Sequence, residues 1–139
     1  MNKLLITLAL TLTLISSSAV AAEWMQIPNA SDNSFNLHLN MEEVTNSGNK
    51  AKMWVMYDST SAQALTSGEK YLSVKMLNEY DCKEIKSRTI FYSWHSGNMG
   101  AGTSIRTKDS PKDKWKPIPP RSDGTISQRI ACLKNAGQE

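Results

Sequence analysis

The chain has 139 residues, and its 16 basic and 13 acidic side chains give a formal net charge of +3 at pH 7. This small net positive charge argues against a dedicated nucleic-acid-binding protein, which usually has a larger excess of basic residues. The length suits one ordinary domain that can bury a hydrophobic core.

The first 22 residues have the three regions of a secretory signal peptide. A basic start precedes an uncharged apolar run over residues 4–15, and small residues follow. Cleavage after Ala21 and cleavage after Ala22 both fit, and the sequence leaves both open. The alternative is a transmembrane anchor, but a run of about 12 residues is shorter than the roughly 20 that span a bilayer. We therefore expect an exported chain whose mature part, residues 23–139, forms a single domain.

The mature part begins with signals for strands. Apolar and polar residues alternate over residues 35–42, which predicts one apolar face and one wet face, with His38 on the wet one. A turn is expected at residues 46–49. The next run, residues 52–58, is apolar on both faces and predicts a central strand covered on both sides. Residues 59–69 are rich in Ser, Thr, Gln and Gly, which indicates a loop.

Further strands follow in the middle of the chain. Residues 72–82 alternate so that Cys82 points the same way as the apolar side chains, and residues 84–95 form a long β-prone stretch. Residues 97–102 have the spacing Gly-x-x-Gly-x-Gly, which resembles a phosphate loop superficially. No βαβ unit surrounds it, so a tight hairpin is the better account. Residues 103–108 can form a last strand.

The C-terminal part predicts a loop and then a short helix. Residues 109–120 are charged and proline-rich, which indicates a loop or a sheet edge. Ser122, Asp123 or Thr125 can cap the helix, and Gly137 ends its pattern. Strands first and a helix last indicate an α+β fold with an antiparallel sheet.

The only two cysteines predict a disulfide. In an oxidising compartment Cys82 and Cys132 are expected to form one disulfide bond. They lack the spacing of a redox motif, and the chain offers too few further ligands for a zinc site. Ile126, Ile130 and Leu133 form one apolar stripe on the helix, with Cys132 at its edge. A helix laid on the sheet by this stripe would bring Cys132 to Cys82, and the bridge would pin it there.

Groups suited to catalysis are sparse. Glu42 with Glu43, and Glu79 with Asp81, are carboxylate pairs of a kind that is common on surfaces. There is no Gly-x-Ser-x-Gly nucleophile motif. We therefore expect a protein that is not an enzyme, with no catalytic residue.

His38, His95 and Met99 could in principle be axial ligands of a haem, but the chain has no Cys-x-x-Cys-His motif. The prediction is therefore no cofactor and no metal site, with a small-ligand (haem) binder as a weaker alternative.

Positive charge is concentrated in one stretch. Residues 83–116 carry 8 basic and 3 acidic side chains, whereas residues 23–81 carry 4 and 8. The stretch is either a solvated face or a patch for an acidic protein, sulfated glycan or anionic lipid headgroup. Trp94 and Trp115 either anchor a binding surface there or cover the sheet edge. The candidate binding residues are Lys83, Lys86, Arg88, Trp94, Lys112, Lys114, Trp115 and Lys116.

Several short motifs follow one another in the mature chain. They are Lys52-Met53-Trp54-Val55, Tyr71-Leu72-Ser73-Val74-Lys75, Glu79-Tyr80-Asp81-Cys82, Arg88 with Phe91-Tyr92, Met99-Gly100-Ala101-Gly102, Trp115-Lys116-Pro117-Ile118-Pro119-Pro120 and Ala131-Cys132. In this order they make the chain resemble the surface-adhesin protein E-like domains of Gram-negative bacteria. The resemblance implies a curved antiparallel sheet of about five to six strands, with a C-terminal helix tethered by the Cys82–Cys132 bridge. It also implies attachment to host or envelope proteins.

We therefore predict a non-enzymatic exported binding module, with a periplasmic inhibitor or accessory protein as the alternative. The expected partner is a protein or an acidic glycan. Nucleic acid and a transmembrane anchor are not expected, and a homodimer is compatible with the sequence. No cysteine lies near the cleavage site, so a lipid anchor is not expected. The periplasm and the outer cell surface both stay open as locations.

Overall fold

The computed structural model describes residues 23–28 and 33–136, and within them an antiparallel sheet precedes one helix. The predicted signal peptide and Gly137 lie outside the described residues. The strands are β1 (Trp24–Ile27), β2 (Phe35–Asn40), β3 (Thr45–Ser47), β4 (Lys50–Ala64), β5 (Lys70–Asp81), β6 (Lys86–His95), β7 (Ser104–Asp109) and β8 (Lys116–Pro117); the helix α1 is Asp123–Ala136.

The sheet has a simple order. Six strands follow one another as β1-β2-β4-β5-β6-β7, while the short strands β3 and β8 pair with β4 and β6. Every pairing is antiparallel. The prediction of an α+β fold with an antiparallel sheet and a C-terminal helix is therefore confirmed, and two short strands extend the predicted five to six.

The central strand β4 is longer than predicted. It continues to Ala64, so the loop expected over residues 59–69 is wrong for residues 59–64. The register with β5 shifts between Asp58 and Gln63, and pairing resumes beyond that irregularity. Ser59 pairs with Phe35 of β2, and Gln63 and Ala64 pair with β5, so partner strands hold the two ends of this polar segment despite its weak local propensity. The remaining turn closes where Leu65 N–H donates to the Glu69 carbonyl at 2.9 Å.

One face of the sheet, the inner face, packs against α1 and forms the hydrophobic core. The core consists of buried residues from this face, from α1 and from the segment before α1. They are Leu37, Leu39, Ala51, Met53, Val55, Tyr80, Ile118 and Ala131. The opposite face is called the outer face. His38 and Asn40 lie on it but are only 6% and 1% exposed. The predicted wet face of β2 is therefore wrong, since side chains on both of its faces are buried.

The start of α1 is tied to the sheet by polar contacts. The helix begins at Asp123, directly after Ser122, whose hydroxyl donates to the Pro119 carbonyl at 2.6 Å. Asp123 lies in the first turn, where a carboxylate is stabilised by the helix dipole. It also forms a hydrogen bond with Tyr57. Burial, and to a lesser extent the Asp123 carboxylate, raise the pKa of Tyr57 above its usual range.

The predicted disulfide is confirmed, and it joins α1 to the end of β5. Cys82 and Cys132 are bonded, with their Cα atoms 5.7 Å apart. The predicted apolar stripe is wrong for Leu133, which is 71% exposed. Ala131 packs into the core instead, and Gln128 Nε2 donates to the Asp81 carbonyl at 3.1 Å. The bridge and this bond fix the rotation of α1, so Leu133 faces solvent.

Candidate binding surface

Buried polar side chains on the outer face satisfy one another or the nearby backbone. Asn40 Oδ1 accepts hydrogen bonds from the backbone N–H groups of Glu42 and Glu43. Ser93 Oγ and His95 Nε2 are 2.8 Å apart. Such bonds offset the cost of removing polar groups from water. The outer face therefore remains ordered without a second apolar layer of the kind that α1 provides.

Near one end of the outer face, a buried carboxylate forms ion pairs with two basic side chains. Glu79 is 5% exposed, and its Oε1 accepts from Arg88 Nη2 at 2.8 Å and from Arg88 Nε at 3.1 Å. Lys52 Nζ lies 3.5 Å from the other carboxylate oxygen. Strand register explains the grouping, because Glu79 is paired with Lys52 on one side and with Arg88 on the other.

Trp115 lies against this group of charges. Its ring centroid is 4.6 Å from the Arg88 guanidinium carbon and 5.3 Å from Lys50 Nζ, distances that allow cation–π attraction. Lys50, Lys52, Glu79, Arg88 and Trp115 are called the Trp115 cluster. A cavity of about 290 Å³ opens beside them, lined also by residues of β3.

The loop between β7 and β8 carries three exposed lysines next to Trp115. They are Lys112, Lys114 and Lys116. Within residues 23–28 and 33–136, no ion pair involves any of the three. The loop is fixed at both ends, since Ser110 N–H donates to the Ile90 carbonyl and Lys116 pairs with Ser87 of β6. Three exposed ammonium groups therefore lie in the same short segment as Trp115, whose ring is held by Arg88 and Lys50.

The other candidate residues lie elsewhere. Lys83 is exposed in the β5–β6 turn, and Lys86 is bonded to Glu84 at 2.7 Å, a hydrogen bond that raises the pKa of Lys86. Trp94 is paired with Val74 and lies on the inner face, stacked on Tyr92 with ring centroids 5.4 Å apart. The structure therefore places Arg88 against Trp115, in the segment that carries the three lysines, and it separates Trp94 from both.

Lys50 and Lys52 are members of the Trp115 cluster that the sequence reasoning missed. Both belong to the acidic part of the chain, and they come close to Arg88 because β5 pairs with β4 on one side and with β6 on the other. A signal for this was present, because period-two alternation from Trp54 places Lys52 and Lys50 on the same face.

Aromatic side chains continue the surface along the outer face. Trp54 and Phe91 meet edge to face with centroids 5.7 Å apart, and they line a cavity of about 380 Å³. Further along, Lys75 Nζ lies 6.0 Å from the Trp24 ring centroid. Rings of this kind combine a large contact area with low loss of side-chain entropy, which suits recognition of a partner.

The far end of the outer face is closed by the β6–β7 hairpin, which is confirmed as a turn rather than a phosphate loop. Its tip contains a single 3₁₀ turn, Asn98–Gly100. Asp58 Oδ1 accepts from the Met99 N–H at 2.7 Å, and Ser73 Oγ donates to the Gly97 carbonyl at 2.6 Å. Gly100 has φ of +73°, a left-handed backbone conformation that side chains other than glycine rarely adopt.

The histidines give no support to the haem alternative. His38 is paired with Met56, and strands β4 and β5 lie between it and His95. Three strand spacings separate the two backbones by roughly 14 Å. Burial, and secondarily Lys75, lower the pKa of His95. Among the described residues, no group of three His, Cys, Asp or Glu side chains could hold a metal ion, and no helix is long and apolar enough to span a membrane.

Comparison with known proteins identifies the fold. The family model described as surface-adhesin protein E matches residues 24–133. Protein E from non-typeable Haemophilus influenzae superimposes with a TM-score of 0.58 at 11% identity, covering 90% of this chain and 85% of that one. A selenomethionine form of Haemophilus influenzae protein E gives 0.59 at 10% identity, covering 82% and 88%. At these identities the structures show a shared fold. No curated protein sequence matches the chain.

Proposed function

The chain belongs to the surface-adhesin protein E family, and on that premise we propose that it is a non-enzymatic binding module exported to the outer cell surface. There it attaches to an acidic surface of a host protein. The observation that carries the proposal is the Trp115 cluster with its three neighbouring lysines. They form a fixed aromatic and cationic surface in the fold of an adhesin family.

The ion pairs within the cluster support this role. Arg88 is neutralised by the buried Glu79, and both hold Trp115 in position. Charge for recognition is left to Lys112, Lys114 and Lys116, which are exposed. An aromatic ring that contacts Arg88 and Lys50, with exposed lysines in the same segment, has the composition of a protein-binding surface, in which few residues supply most of the affinity.

The test replaces the three lysines with serine and measures binding of the purified chain to a panel of immobilised host matrix proteins. We expect binding at low salt to weaken by about tenfold, because three charges that face the partner are lost. The matched control replaces Lys70, Lys108 and Lys134, which are also exposed. It removes equal charge from other surfaces and should leave binding unchanged.

Two results would contradict the proposal. Binding that is equal for the parent and the loop variant at low salt would show that the Trp115 surface is not used. Binding to immobilised heparin but to no protein of the panel would assign the surface to a sulfated glycan instead.

A further inference from the structure

A second surface lies away from the Trp115 cluster, where the β5–β6 turn meets the beginning of α1. It contains a cavity of about 600 Å³. The walls are mostly aliphatic, with two arginines and two hydroxyl groups among them: Ile85, Ile118, Pro120, Arg121, Ser122, Thr125, Ile126 and Arg129. This cavity is called the α1 groove.

The α1 groove continues along the helix. An adjoining cavity of about 390 Å³ shares Ile85 and Arg129 with it and reaches past the disulfide to Leu133. Ile85 is 55% exposed and Leu133 71%, so two large aliphatic side chains face solvent on one continuous surface. Ile126 and Leu133 are seven residues apart, which is about 10 Å along a helix. This length corresponds to two turns of a helical partner.

Backbone strain occurs on both sides of the α1 groove. Ile85 has φ of 52° and Arg121 has φ of 57°, values that side chains other than glycine rarely adopt. For a β-branched residue such as Ile85 the conformation is a clear outlier. The Ile85 carbonyl accepts from the Ile118 N–H at 3.1 Å, which fixes the turn. Strained residues held in place by their surroundings are concentrated at functional sites.

The charged residues that line the α1 groove are both arginines. Arg121 and Arg129 are exposed, and in the described part of the chain neither forms an ion pair. No acidic side chain lines either cavity. Two guanidinium groups beside an aliphatic groove are complementary to carboxylates carried next to aliphatic side chains.

We propose that the α1 groove binds an acidic amphipathic segment of a partner protein. Aliphatic side chains of that segment fill the two cavities, and its carboxylates pair with Arg121 and Arg129. A small free ligand fits less well, because small-molecule sites bury most of their ligand, whereas Ile85 leaves this groove open to solvent. The site is independent of the Trp115 cluster, so it goes beyond the proposed attachment surface.

The test uses the full exported chain with its disulfide intact and two synthetic peptides. One peptide carries leucine at positions i, i+4 and i+7 with glutamate elsewhere, and the other has lysine in place of every glutamate. Binding is followed by NMR of isoleucine methyl groups, which reports Ile85 and Ile126 directly. We expect the acidic peptide to shift these two signals and the basic peptide to leave them unchanged.

Charge reversal sharpens the result. Arg121→Glu with Arg129→Glu should weaken binding of the acidic peptide by about tenfold or more. Lys70→Glu with Lys108→Glu changes the net charge equally, away from both proposed surfaces, and should have no effect on this peptide. The proposal is overturned by equal binding of both peptides, by shifts confined to other isoleucines, or by no binding. Methyl shifts that depend on protein concentration without peptide would also overturn it, because a second copy of the chain would then occupy the groove.

Discussion

The inner and outer faces of the sheet bury different kinds of side chain. The inner face buries Leu37, Leu39, Met53 and Val55, whose contacts with α1 and the neighbouring strands carry no directional requirement. Besides Met56, the outer face buries His38, Asn40, Ser73, Glu79 and Ser93, which depend on specific hydrogen bonds and ion pairs. One face is closed by hydrophobic packing, and the other is held mainly by local polar contacts.

This difference separates stability from recognition. The inner face uses its apolar surface against α1, and the disulfide keeps that contact in place. The outer face satisfies its polar groups without a covering layer, so Trp115 and the loop lysines remain available to a partner. The predictions below test this division, because changes on the inner face should affect folding far more than changes on the outer face.

The largest effect should come from the disulfide. Cys132→Ser releases α1 from β5, and the bridge closes a loop with a sequence separation of 50 residues. We expect the free energy of unfolding to fall by about 4 kcal/mol at most. Urea unfolding of the parent and the variant measures it. The double variant Cys82→Ser with Cys132→Ser is the control for a reactive free thiol, and an unfolding midpoint equal to that of the parent would refute the tether.

Neighbouring residues of β2 allow a direct comparison of the two faces. Leu39 is fully buried on the inner face, and Leu39→Ala should cost about 3 kcal/mol through lost burial and a cavity. Asn40 lies on the outer face, and Asn40→Ala should cost about 1 kcal/mol through two lost hydrogen bonds. Urea unfolding midpoints of the two variants, each compared with that of the parent, measure the two losses of stability. Equal losses would show that the faces do not differ in this way.

A smaller effect is expected from the buried carboxylate. Glu79→Gln leaves Arg88 and Lys52 without their anion and should lower the free energy of unfolding by about 2 kcal/mol. Tryptophan fluorescence should also change, since Arg88 no longer holds Trp115. Glu84→Gln removes an exposed ion pair with Lys86 and is the matched control, with no measurable loss expected. Identical results for both variants would mean that Glu79 does not organise the cluster.

The smallest predicted effect concerns pH. Burial lowers the pKa of His95 below the usual 6.5 of a histidine, so the unfolded chain binds more protons near that pH. Stability is therefore highest above pH 6.5 and decreases as the pH falls below it. His95→Gln should remove part of this decrease, which thermal unfolding between pH 7 and pH 5 measures. A variant whose melting temperature follows the same pH curve as the parent would contradict the assignment.

Local periodicity and the cysteine pair predicted much of the fold. Alternation, glycines and capping residues in the sequence indicated the positions of β5, β6, β7 and α1. The disulfide joins the two cysteines that were expected to pair. β1 was not predicted, because its four residues form a strand only by pairing with β2. The burial of His38 and the exposure of Leu133 depend on sheet order and helix rotation, which no local pattern contains.

The candidate site was predicted in part. Arg88 and Trp115 were named from the sequence, whereas Lys50 joins them only through strand pairing. Trp94 was grouped with them by sequence proximity, but the register of β6 shifts near Ile90. An irregularity of one residue reverses which side chains face which way. Trp94 therefore lies on the inner face although Arg88, six residues earlier, lies on the outer one.

The central claim, an attachment module on the outer cell surface, is tested most directly by protease treatment of intact cells, with lysed cells as the control. The account predicts that the chain is digested on intact cells, since its binding surface must be reachable from outside. Protection until the cells are lysed would place the chain in the periplasm and would contradict the account.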